Sequence, residues 1–156
     1  MTHMEIHALS KEKFDKIVKS LSINENNVEM FGNKFFISIS HSTVFDDADS
    51  MEGDWIPLFK ENKKNVLCLL FDDVVADMGP GIKAFTKKQA EEVINFLKQI
   101  NKKTSELFVH CAMGSSRSVA VAEFAREIFG EKFINARIDR SPNKHVLNTL
   151  REKWES

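Results

Sequence analysis

The chain has 156 residues, of which 42% are hydrophobic and 29% charged, with a formal net charge of −1. That length suits one domain over residues 1–156, with a core large enough to need neither disulfides nor a structural metal. The composition argues against a disordered or membrane-embedded chain. The near-zero charge argues against nonspecific nucleic-acid binding, which needs a surplus of Lys and Arg.

At the N-terminus, "MTHMEIHALSKEK" has no continuous apolar core of the kind a signal peptide carries, and no apolar run is long enough to span a bilayer. Met4 offers an alternative natural start, with residues 1–3 as an added leader. The first regular element is a helix in "SKEKFDKIVKSL", where Phe14, Ile17, Val18 and Leu21 recur at helical spacing behind Ser10 as its cap. "KFFISIS" follows as a strand. The polar stretch from His41 to Gly53 reads as a loop, and Pro57 limits "DWIPLFKENKK" to a short helix or turn.

"NVLCLLF", residues 65–71, is a nearly continuous apolar run that stops at Asp72 and Asp73, the pattern of a strand buried on both faces and central in a sheet. Thr86 and Gln89 then form a capping box for a helix that presents Ala90, Val93, Ile94, Leu97 and Ile100 to the core. "ELFVH" is the next strand and runs directly into "CAMGSS". A helix starts near Arg117 and stops at Gly130. In the last helix, "SPNKHVLNTLREKW", Ser141 is the expected cap, Pro142 the first helical residue, and Val146, Leu147 and Leu150 the buried face. Alternating strands and helices predict an α/β fold with a central, mostly parallel sheet flanked by helices, in which ligands bind beyond the carboxyl ends of the strands.

The loop in "HCAMGSSRS", His110 to Ser118, lies at such an end. A loop opening a helix turns successive backbone N–H groups toward an anion. Gly114 permits the backbone to curl, and Ala112, Ser115 and Ser116 keep bulk low, with Met113 the exception. Arg117 carries a planar fork that binds two phosphate oxygens together. The same donors favour the thiolate of Cys111, and Ser118 is placed to give its hydroxyl to that sulfur. His110 orients the loop in this reading and is not a base.

This stretch resembles the H-C-x5-R-S signature of the cysteine-dependent protein tyrosine and dual-specificity phosphatases. "SPNKHVLNTL" resembles the P-N-x-x-hydrophobic-x-x-x-L segment common in the last helix of that family, and the length resembles a compact dual-specificity member. The resemblance covers residues 72–150. It implies the protein tyrosine phosphatase-like fold and a phosphomonoester hydrolase that needs no metal or cofactor. Such an enzyme works through a phosphocysteine on Cys111, with Ala112 to Arg117 holding phosphate and Ser118 assisting the sulfur. It further implies a general acid, usually an Asp after the preceding strand. "FDDVVAD" offers three. The family's spacing from the strand end selects Asp73, the distance to Cys111 keeps Asp77 open, and Asp72 is the third choice, with loop capping or pairing to Arg117 as its other reading.

Phosphorylated protein or peptide is the expected partner, by phosphotyrosine alone or with phosphoserine and phosphothreonine. The uncharged "AMGSS" weakens a phosphoinositide reading. A rhodanese-like sulfurtransferase or an arsenate reductase also uses a loop cysteine, but the related low-molecular-weight enzymes carry that loop near the N-terminus. A phosphate-binding pseudophosphatase is the non-enzymatic alternative. Cys68 and Cys111 are the only cysteines and lie in no zinc-ligand spacing, which fits a reduced, cytoplasmic protein. Cys68 reads as a small buried hydrophobe, with a Cys68–Cys111 disulfide as its redox alternative. His3, His7, His41 and His145 read as surface residues, Phe35, Phe36, Phe59 and Phe96 as core, and Asn143 as a helix start, with a hydrogen bond to the loop as its other reading.

Overall fold

The computed structural model describes residues 4–44, 57–79, 81–101, 105–130 and 141–156. Strand β1 (Glu5–Ser10) runs into helix α1 (Lys11–Ser20). After a single 3-10 turn at Val28–Met30 come β2 (Lys34–Ser40), β3 (Val66–Leu70), α2 (Lys87–Lys98), β4 (Glu106–Cys111), α3 (Arg117–Phe129) and α4 (Lys144–Glu155). The four strands form one sheet in the order β1-β4-β2-β3, and every pairing is parallel. The predicted α/β class with helices on a central parallel sheet is therefore the observed one.

Strand alternation sorts the side chains into two layers. Ile6, Phe35, Ile37, Ile39, Leu67, Leu69, Leu107, Val109 and Cys111 face a core closed by α2, α3 and α4. Phe36, Val66 and Phe108 face the opposite side, where Phe14 and Val18 of α1 pack with Ile23, Val28 and Phe59. Aromatic rings dominate this second layer: Phe36 stacks on Phe108 at 5.3 Å, and Phe14 meets Phe36 and Phe59 edge-on. Fully burying one such ring contributes about 1.5–3 kcal/mol. Phe35, Phe36, Phe59 and Phe96 are all buried, as expected.

Several caps match the sequence pattern. Ser10 accepts from the Lys13 amide, Thr86 and Gln89 form the capping box, and Gly130 ends α3 at φ 68°. Other expectations are corrected. β1 is an additional strand, signalled only by the alternation of Met4, Ile6 and Ala8, which all pack into the main core. Among the described strands, β3 lies at the edge of the sheet and not at its centre. Core packing on both faces makes its sequence apolar, while its outer side is covered by a local turn: the Cys68 amide donates to Asn62 Oδ1 at 2.7 Å, and Lys63 and Val66 exchange backbone bonds. Leu21 follows the end of α1 and is exposed.

At α4 the cap is Asn143, not Ser141, because its side chain reaches the Val146 amide; Pro142 then precedes the cap and is not the first helical residue. His7 is stacked on Phe108 at 4.6 Å, and the ring of His145 meets the Phe85 carbonyl at 2.8 Å, so neither is a simple surface residue. Residues 57–64 form turns and one β-bridge, not a helix. The expected leader at 1–3 and most of the loop from His41 to Gly53 (residues 45–53) lie outside the described residues.

Asn65 ties the start of β2 to that of β3. Its Nδ2 donates to the carbonyls of Val28, Phe31 and Lys34 at 2.8, 3.2 and 3.0 Å, while its own carbonyl accepts from the Phe36 amide. Asn65→Ala leaves those carbonyls without this donor in a buried position, and urea unfolding should show a loss of about 2–4 kcal/mol.

Candidate active site

Cys111 is the last residue of β4 and Arg117 the first of α3, so residues 112–116 turn at the carboxyl end of an interior strand. The turn is shaped by its neighbour. Ser10, in register with Cys111, ends β1, and the Lys11 amide donates to the Ala112 carbonyl at 3.2 Å from behind the loop. Gly114 sits at φ 69° so close to this backbone that a Cβ would lie 2.3 Å from Ser10 N and 2.5 Å from the Leu9 carbonyl carbon. Only glycine fits there, for both space and conformation. Among the described residues, no protein acceptor takes the backbone N–H groups of residues 113–117. Unpaired N–H groups at a helix N-terminus are of the kind that can accommodate an anion.

The sulfur of Cys111 is 2% exposed and lies 3.2 Å from Ser118 Oγ and 3.4 Å from the Ser118 amide, which donates to it. The thiol donates to the Ser118 hydroxyl, and once the sulfur is charged the hydroxyl can reverse and donate to it. Arg117 is 8% exposed, and its Nη1 donates to the Phe71 carbonyl at 2.8 Å. That single bond fixes the guanidinium between the ends of β3 and β4 and leaves its Nε–Nη2 edge for a second, bidentate partner.

The three aspartates of "FDDVVAD" separate clearly. Asp72 accepts from the Ser42 amide and hydroxyl and from the Lys83 amide. Burial opposes its charge, but the bonds from Ser42 and Lys83, helped by the nearby Arg117, hold its pKa below the ordinary value. It staples the loop after β3 to the loop after β2. Asp77 accepts from the Ala84 amide at 2.9 Å and sits 3.9 Å from Lys83 Nζ, largely exposed. Asp73 alone reaches the cysteine loop: its Oδ1 accepts from Ser116 Oγ and from Asn143 Nδ2, each at 2.8 Å.

Asn143 takes both of the parts the sequence left open, helix start and partner of the loop. It both caps α4 and meets the loop, its amide donating to the Ser116 carbonyl at 3.1 Å. Its bond to Asp73 was not anticipated, because only the packing of α4 beside α3 creates it. Ser38 and Ser42, which anchor His110 and Asp72, were missed in the sequence.

His110 points to the other face of the sheet. Its Nε2 lies 2.6 Å from Ser38 Oγ and its ring is 4.1 Å from that of Phe14. Burial, with the positive charges of Lys11 and Arg117, pushes its pKa down to about 3, against an opposing hydrogen bond with the Cys111 backbone. A neutral, wedged imidazole fixes the end of β4 and is no acid or base for the opposite face. The proposed Cys68–Cys111 disulfide is excluded by the same alternation: β2 separates their strands, and the two side chains lie in opposite layers. Both cysteines are free, and burial, with Glu25 and Glu61 nearby, pushes the Cys68 thiol up to about 12.

Among the described residues, the group suited to a cation is Glu5, His7 and Glu106, near the far ends of β1 and β4, where the Lys34 ammonium already pairs with Glu106. It is remote from Cys111. Also among the described residues, no helix is long and apolar enough to cross a membrane.

Compared with protein-family models, curated proteins and solved structures, the chain gave no match.

Gly114→Ala should force the loop off Ser10 and abolish binding of inorganic phosphate or vanadate by calorimetry, while thermal melting shows the fold retained with reduced stability. His110 gives a pH signature. Because its folded pKa is depressed, the unfolded chain takes up a proton near pH 6.5 that the folded chain refuses until about pH 3, so stability falls as pH drops through that window. Urea unfolding should lose about 2 kcal/mol between pH 7 and pH 5 through this residue. The slope should flatten by that amount in His110→Asn.

Proposed function

We propose that the protein is a cysteine-dependent phosphomonoester hydrolase, related in mechanism and in its H-C-x5-R-S loop to the protein tyrosine and dual-specificity phosphatases. The observation that carries this reading is the convergence on one loop of a buried cysteine sulfur, its Ser118 partner, open backbone N–H groups and an arginine with a free bidentate edge. The Cys111 thiolate attacks phosphorus in line, while the N–H groups and Arg117 hold the nonbridging oxygens. The P–O bond to the leaving group breaks, and Asp73 gives its proton to the departing oxygen. Water then attacks the phosphocysteine, Asp73 takes a proton from it, and the S–P bond breaks as Ser118 donates to the sulfur.

Every group in this sequence is a protein side chain or amide, so the reaction needs no metal or cofactor. Phosphorylated protein or peptide is the proposed substrate. Met113 on the cysteine loop and Val75 and Met78 just beyond Asp73 are largely exposed, giving the segments around the site an apolar character that suits an aromatic or peptide leaving group better than a highly charged inositol phosphate. A thiolate nucleophile also requires a reducing compartment, which fits the cytoplasm. The bonds tying Asp73 to Ser116 and Asn143 favour a working enzyme over a pseudophosphatase, since they hold an acid beside the loop.

Hydrolysis of an aryl phosphate should survive excess chelator and vanish in Cys111→Ser. Asp73→Asn should lower kcat by roughly 10²–10⁴ with little change in phosphate affinity. Full activity in Asp73→Asn would move the acid to Asp77, and an inactive native protein that still binds phosphate would make it a binding module.

A further inference from the structure

We infer that Asn143 is a positioning residue that decides which oxygen of Asp73 carries the transferable proton, an inference that rests on the phosphatase reading. The amide of Asn143 has only one possible orientation. Its Oδ1 accepts the Val146 amide at 3.0 Å as the cap of α4, so Nδ2 must point the other way, and its own backbone N–H is held by the Ser116 carbonyl. Nδ2 consequently meets Asp73 Oδ1 at 2.8 Å and the Val74 carbonyl at 3.2 Å. Asn143 is 7% exposed, so water cannot readily replace these bonds.

A proton on Oδ1 would face an N–H group that can donate but never accept. Ser116 imposes no such rule, because its hydroxyl at 2.8 Å from the same oxygen can either donate or accept. The Nδ2 donor therefore favours Oδ1 as the carbonyl oxygen and the acidic proton on Oδ2. In the first step Oδ2–H passes its proton to the leaving oxygen as the P–O bond breaks, and in the second Oδ2 takes a proton from the attacking water. Through Asn143, the start of α4 sets the orientation of the acid as well as the support of the loop.

The test compares two substrates in the whole protein. Phenyl phosphate needs a proton on its leaving oxygen, whereas 2,4-dinitrophenyl phosphate releases a stable anion unaided. Asn143→Ser keeps an oxygen for the helix cap but removes the Nδ2 donor. It should lower kcat/KM for phenyl phosphate roughly 10- to 100-fold while changing that for the dinitro ester less than about 3-fold. Equal losses on both esters, the mark of a loosened loop, would overturn the inference, as would an unchanged rate on phenyl phosphate. Should a thermal melt show Asn143→Ser unfolded, Asn143→Asp, which also caps and sets a second carboxylate against Asp73, should give the same split. A native protein inactive on both esters would instead remove the phosphatase reading, and this inference with it.

Discussion

The approach of Gly114 to the backbone of Ser10 governs the site. Two adjacent parallel strands, β1 and β4, end in register at Ser10 and Cys111, so the chain leaving β4 must clear the chain turning from β1 into α1. With hydrogen in place of a side chain at position 114, the loop folds flat against that turn, and the Lys11 amide holds Ala112 from behind. Strand alternation sends residue 111 into the layer of α3, where its sulfur meets Ser118, the second residue of that helix.

A second requirement is that the loop after β3 be brought to the same place. Arg117 does this from the helix side by bonding the Phe71 carbonyl, and Asp72 does it from the loop side by accepting from Ser42 and Lys83. Asp72 thus has its oxygens engaged in structure, and its neighbour Asp73 is presented to Ser116 and Asn143. Two adjacent aspartates acquire different roles at a tight turn, where the Val74 amide returns to the Asp72 carbonyl at 2.9 Å. The helix α4 closes the arrangement from a part of the chain distant in sequence.

How much of this was legible in the sequence depends on how local the cause is. The capping box of Thr86 and Gln89, the Ser10 cap and the Gly130 stop were readable because each is decided within a few residues. The cysteine loop was readable because its spacing encodes chemistry: a thiol, a glycine and an arginine at fixed intervals on a strand-to-helix turn. β1 was missed because only Met4, Ile6 and Ala8 mark it, and Ala8 is small. β3 was misplaced because an apolar run reports what lies above and below a strand, not what lies beside it.

By itself the sequence determined the α/β class, most of the helices, the loop and the short list of three aspartates, all features fixed by periodicity, capping or spacing within a few residues. Only the tertiary structure decided which aspartate meets the loop, that His110 faces away from the sulfur, that Cys68 and Cys111 lie on opposite faces, and that Asn143 bridges helix and acid. Those outcomes depend on strand order and helix packing. Contacts between residues as far apart as Asp73 and Asn143 are set by the collapse of the whole chain, and leave no local mark at either position.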